Sequence, residues 1–139
     1  MTIIAIKDGI MACDTGVFAG GMVSGSVRKW VAVPDHKGGG VMASAGALGP
    51  AQSANRQMES NSGDDNVNCE CAIWLRSDGS VWEKYGDEDW LTLDAPFYAI
   101  GCGEALARGA MAAGASAAEA AQICIDHHTE CTGVVEVAG

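Results

Sequence analysis

The first fourteen residues, Met1 to Asp14, constrain this chain most: an apolar run Thr2-Ile-Ile-Ala-Ile-Lys7, an Asp8-Gly9 pair, and a second apolar run Ile10-Met-Ala-Cys13. Two such runs around an Asp-Gly pair predict a hairpin whose first strand starts at the very N-terminus. Ile4 and Ile6 fall on one face of that strand and Ile3 and Ala5 on the other, so both faces are apolar. The sheet it joins is then covered on both sides. Such a strand carries Thr2 into the core. Once Met1 is removed, Thr2 has its own α-amine, with a pKa near ~8, within reach of its hydroxyl, a nucleophile with a built-in base. An ordinary edge strand that starts early is the other reading.

With 139 residues and no internal linker or repeat, residues 1–139 read as a single domain. A formal charge of −10 repels phosphates and argues against nucleic acid as a partner. The N-terminus lacks the pattern of a secretory leader, and no stretch reaches the ~18 apolar residues of a membrane helix. The chain reads as cytosolic, with no membrane partner, and its six cysteines as reduced thiols. Cys69 and Cys71 lack the spacing of a zinc knuckle and read as core.

Four glycines between Thr15 and Gly25 predict a loop or irregular ribbon. Ser26–Val33 reads as a strand that puts Lys29 on an apolar face with Val27, Val31 and Val33. Such a lysine needs an anion, for which Asp14 is a candidate, or it snorkels at the sheet rim. After a turn at residues 34–40, Val41–Ala45 is a short strand ending in Gly46, and a helix with Leu48, Ala51, Ala54 and Met58 apolar runs to about Ser60. The polar segment Ser60–Asn68 is a loop. Cys69–Arg76 and Val81–Tyr85 form a second hairpin on Asp78-Gly79, and Gly86–Pro96 is an irregular crossing.

Phe97–Ile100 is a strand that leads through Gly101-Cys-Gly103 into a helix with Leu106, Ala110 and Ala113 on one side, closed by Gly114. The third glycine of a dinucleotide fingerprint is misplaced and no parallel βαβ unit surrounds it, which argues against nucleotide binding. Ser116-Ala-Ala-Glu119 is a capping box opening a helix with Ala117, Ala120, Ala121, Cys124 and Ile125 apolar, and Thr132–Val137 closes the chain as a strand.

In order and spacing, Thr2-Ile-Ile-Ala-Ile, Ala12-Cys-Asp14, Ser26-Val-Arg-Lys29, Ala43-Ser-Ala-Gly46, Ala99-Ile-Gly-Cys-Gly103 and the capped last helix resemble the N-terminal nucleophile (Ntn) hydrolases of the proteasome β-subunit and HslV type, in particular short phage or prophage members. The resemblance implies an α+β fold, a four-layer αββα sandwich of two largely antiparallel sheets, with a reduced first helical layer since one helix stands where longer relatives carry two. It implies a threonine peptidase or amidohydrolase in a homo-oligomer, acting on a peptide or amide substrate without a cofactor. Thr2 takes the place of the nucleophile, Asp14 and Lys29 of the pair beside it, and Gly46 of the oxyanion N–H donor. A partner ATPase or phage assembly partner does not follow from it.

Where the family carries Gly-Ser-Gly this chain has Gly101-Cys102-Gly103, and where the family carries Asp-x-x-Ser it has His128-Thr-Glu-Cys131. Two hydroxyls and a carboxylate have become two thiols and an imidazole. Three alternatives stay open on these residues: an active hydrolase, an inactive assembly or scaffold protein, or a pocket in which Cys102, His128 and Cys131 hold a soft metal such as zinc. Thiols that merely fill the space of serines are the plain counterpart of the last.

Overall fold

The computed structural model describes residues 2–61 and 64–139. Met1, and with it any retention or removal of that residue, and Ser62-Gly63 of the expected loop lie outside the described residues. The chain divides into two compact units, residues 2–28 with 96–138, and residues 29–95.

The first unit is organised on strand β1 (Ile3–Lys7). An antiparallel sheet runs in the order β10 (Phe97–Gly101), β1, β2 (Ile10–Cys13), β11 (Glu136–Ala138). Asp8 and Gly9 both have positive φ, 54° and 74°, the geometry of a two-residue hairpin turn whose twist matches its strands. Ile3, Ile4, Ala5 and Ile6 are all buried, so both faces of β1 are covered, and each isoleucine contributes about 2 kcal/mol through burial. On the face of Ile3 and Ala5 pack helices α2 (Glu104–Ala112) and α3 (Ala117–His127), through Ala107, Met111, Ala117, Ala120, Ala121 and Cys124. So many small residues bring the helix backbones close to the sheet, and the capping box forms as expected: Ser116 Oγ accepts the Glu119 N–H and Glu119 accepts the Ser116 N–H. Lys7 Nζ donates to the carbonyls of Met111 (3.2 Å) and Ala115 (2.9 Å), a cation on the negative end of α2.

Three sequence expectations are narrowed or corrected in this unit. Of the loop or irregular ribbon expected at the glycine-rich stretch, the loop gives way to a two-stranded ribbon, β3 (Gly16–Ala19) and β4 (Met22–Ser26), irregular at a register shift between Val17 and Phe18, because Gly20 and Gly21 both adopt the positive φ of a tight hairpin turn. The buried side of α2 is Ala107 and Met111, one position on from the expected face, since the long Met111 side chain reaches the core while Leu106 stays 37 % exposed. The last strand is confined to Glu136–Ala138: the stretch before it turns to bond elsewhere, Val134 N–H to Thr15 Oγ1 at 3.0 Å.

The second unit is a five-stranded antiparallel sheet in the order β5 (Trp30–Ala32), β6 (Val41–Ala45), β7 (Cys69–Leu75), β8 (Val81–Gly86), β9 (Leu91–Leu93). Helix α1 (Leu48–Glu59) packs on it through Ala51, Ala54 and Met58, over a core of Val33, Met42, Val67, Cys69, Ala72 and Trp74. Trp74 meets Trp90 edge to face at 5.4 Å, and the Arg76 guanidinium lies over both Trp74 and Trp82. The strand expected over Ser26–Val33 is broken at residues 27–29 and resumes as β5; the supposed irregular crossing contains β9, which pairs with β8 through Leu91 and Leu93. No helix among the described residues is long and apolar enough to cross a membrane.

Candidate active site

Thr2 sits at the head of β1, only 8 % exposed. Cys102, in the turn between β10 and α2, holds its backbone: the thiol accepts the Thr2 N–H and lies in position to donate to the Thr2 carbonyl, both at 3.3 Å. The close approach depends on Gly101, which pairs with Ile3 across the sheet at φ 106°; a Cβ there would run into the Thr2 carbonyl oxygen.

Asp14 follows β2 and is fully buried. Its Oδ1 accepts the Ile3 N–H at 3.0 Å and its Oδ2 the Thr132 N–H at 3.1 Å, so one carboxylate ties the strand that begins at Thr2 to the segment after α3. Burial of a carboxylate is tolerable when both oxygens have such donors.

At the end of α3, the chain caps on Cys124 through the His128 N–H (2.8 Å) and then turns, Cys131 N–H to His128 carbonyl at 3.1 Å. That turn carries His128 and Cys131 to Cys102: the ligand atoms of the three side chains all lie within 4.8 Å of one another, and the two sulfurs are 3.7 Å apart. A thiol has one proton, and the contact between Cys102 and Cys131 keeps it on Cys102, which pushes the Cys102 thiol well above the usual range, with burial adding to the effect. For Cys131 the same contact favours the thiolate, but the Cys124 thiol, burial and the Asp14 carboxylate outweigh it, and its pKa is pushed up to about 12. Without a metal, both are held toward the neutral thiol.

Cys124 is the residue that sequence reasoning missed, counted there only as helix core. Its thiol donates to the Gly103 carbonyl at 3.4 Å and meets Cys131. A Cβ on Gly103 would lie 2.9 Å from the Cys131 sulfur and 3.1 Å from that of Cys124, so this second glycine is required by the thiols. The spacing Cys124, His128, Cys131 along one helix end was the available signal.

The first unit thus brings together Thr2, Asp14, Cys102, His128 and Cys131. Lys29 and Gly46 belong to the second. Lys29 is 2 % exposed, ruling out the snorkelling alternative, and its carbonyl accepts the side-chain amide of Asn55 (3.1 Å), which in turn accepts from Ser44 Oγ (3.0 Å). Gly46 follows β6 at φ 106°, with the Glu70 side chain where a Cβ would be.

The sequence matches no family model and no curated protein. Its fold is nevertheless that of solved HslV-type structures. Solved structures similar to it include Thiobacillus denitrificans BPH in complex with epoxomicin, with a TM-score of 0.71 and 17 % identity over 98 % of this chain and 95 % of that one. HslV from Trypanosoma brucei follows, with a TM-score of 0.70 and 19 % identity over 99 % and 97 %. At such identities the likeness is one of fold.

Proposed function

We propose that this chain is an N-terminal threonine hydrolase of peptide or amide bonds, with Thr2 as nucleophile after removal of Met1. The observation that carries the reading is Thr2 itself: it heads the central, doubly buried strand of an HslV-type fold, with its backbone held by Cys102 and that of Ile3 by Asp14. The similar structure bound to epoxomicin, a peptide epoxyketone, supports the same chemistry.

In this reading the Thr2 hydroxyl attacks the substrate carbonyl and the α-amine takes its proton, directly or through water. Collapse of the tetrahedral intermediate returns a proton to the leaving amine, and water then hydrolyses the Thr2 ester. The family resemblance alone gives Lys29 the role of the charge that keeps such an amine partly neutral, and the Gly46 N–H that of the oxyanion donor, a role worth ~3 kcal/mol where measured. The substrate is a peptide or amide and the active form a homo-oligomer. Turnover of a panel of fluorogenic peptides and amides tests this: Thr2→Ser retains activity and Thr2→Ala abolishes it. Equal turnover by Thr2→Ala would overturn it.

A second reading, an inactive assembly protein with the same fold, is favoured by the Cys102 thiol, which stands at the Thr2 N–H where the resemblance gives the family a hydroxyl. Light scattering on the eluting protein separates the two: assembly without any turnover by the wild type supports it.

A further inference from the structure

We propose that Cys102, His128 and Cys131 form a zinc site, with two sulfurs and one imidazole nitrogen as ligands and a fourth position open to water. The spacing of the donors is the main observation. Two thiolates bound to one tetrahedral zinc at about 2.3 Å each stand about 3.8 Å apart. Here the two sulfurs are 3.7 Å apart, whereas a disulfide would need them at about 2.05 Å. A sulfur and a nitrogen on the same ion stand about 3.6 Å apart, and all three donor atoms already lie within 4.8 Å of one another, so the imidazole has at most about 1.2 Å to close.

The surroundings fit an ion as well. The Thr2 N–H points at the Cys102 sulfur, the backbone donor that a metal-bound thiolate needs in order to spread its charge. Cys131 is 1 % exposed and fixed by its turn, while Cys102 is open to solvent and gives the ion a way in. His128 is half-buried, and its Nδ1 accepts the Glu130 N–H at 3.2 Å; coordination through that nitrogen exchanges this long bond for a metal–nitrogen bond. Asp14 does not join as a ligand, since both of its oxygens already serve N–H groups. Two sulfurs and a nitrogen exclude magnesium and calcium, which take oxygen, and select zinc, with copper(I) as its competitor.

The site does not depend on Thr2 being a nucleophile. It does lie one hydrogen bond from Thr2, so its occupancy reaches the candidate active site through the Cys102 sulfur.

Cobalt(II), a spectroscopic stand-in for zinc, provides the test, on full-length protein purified without a histidine tag, reduced, stripped with chelator and titrated anaerobically. The expected result is one ion per chain, with thiolate-to-cobalt charge-transfer absorption and the intense visible bands of a tetrahedral site, both lost when zinc is added. A Cys102→Ser, Cys131→Ser double variant weakens binding about 100-fold or more. His128→Asn, which keeps both thiols, weakens it about tenfold and shifts the visible bands. No charge-transfer band in the wild type, full binding by the double variant, or a Cys102–Cys131 disulfide found by mass under reducing conditions would each overturn the site. The readout is binding alone, so it stands or fails separately from peptide turnover.

Discussion

The Cys102 thiol spans the backbone of Thr2, 3.3 Å from its nitrogen and 3.3 Å from its carbonyl oxygen. That arrangement is possible because Gly101 lets the turn approach Thr2 with no Cβ in between. Gly101→Ala adds left-handed strain and pushes Thr2 out of place, and we expect a loss of about 2–4 kcal/mol in stability. Thermal melting checks this. A variant that melts like the wild type would show that the approach is not required.

Asp14 makes the second tie. Asp14→Ala leaves the Ile3 and Thr132 N–H groups without their acceptor and should cost about 3 kcal/mol. Asp14→Asn keeps one oxygen and should cost less. Denaturant unfolding of the two variants measures the order, and the reverse order would refute the bridging role.

Cys102 is exposed, yet its thiol is held protonated first by Cys131 and then by burial. In metal-free protein at pH 8 it should therefore react with iodoacetamide several-fold more slowly than a free thiol, whose pKa is about 8.5. Cys131→Ala removes the leading cause and should speed the labelling of Cys102, read by peptide mass spectrometry. Unchanged labelling would contradict the shared proton.

The α3 cap gives a local test. Ser116→Ala should cost about 1 kcal/mol. The Ser116 N–H and hydroxyl hold the Glu119 carboxyl below its ordinary value of 4.5, so the folded pKa is depressed. The contribution of Glu119 is then complete above pH 4.5 and lost as pH falls through the lower folded value. Melting temperatures of the wild type and Glu119→Gln should converge below that window; a constant difference would refute the cap.

These features differ in how far the sequence revealed them, and the difference follows sequence separation. The Asp8-Gly9 turn, the Ser116–Glu119 box and strand Val41–Ala45 depend on residues within a few positions of one another, and all form as expected. At Gly20-Gly21 the sequence leaves loop and irregular ribbon both open, because glycine counts against a strand but for a hairpin turn, and the irregular ribbon forms. Lys29 was placed in a strand by alternation alone, yet its backbone carbonyl bonds the Asn55 side chain of α1, a partner 26 residues away. In the site, Thr2 and Asp14 stood out because a hairpin joins them. The meeting of Cys102 with Cys131, 29 residues apart, could be reached only through the family resemblance, and Cys124 was hidden among helix alanines.

Intact mass after incubation with an epoxyketone such as epoxomicin asks directly whether Thr2 is the nucleophile. A nucleophilic Thr2 gives a chain lacking Met1 that gains the mass of one inhibitor, with fragmentation placing it on Thr2 and no gain in Thr2→Ala. A chain from its native source that quantitatively keeps Met1, or that gains no mass while properly folded, would contradict it.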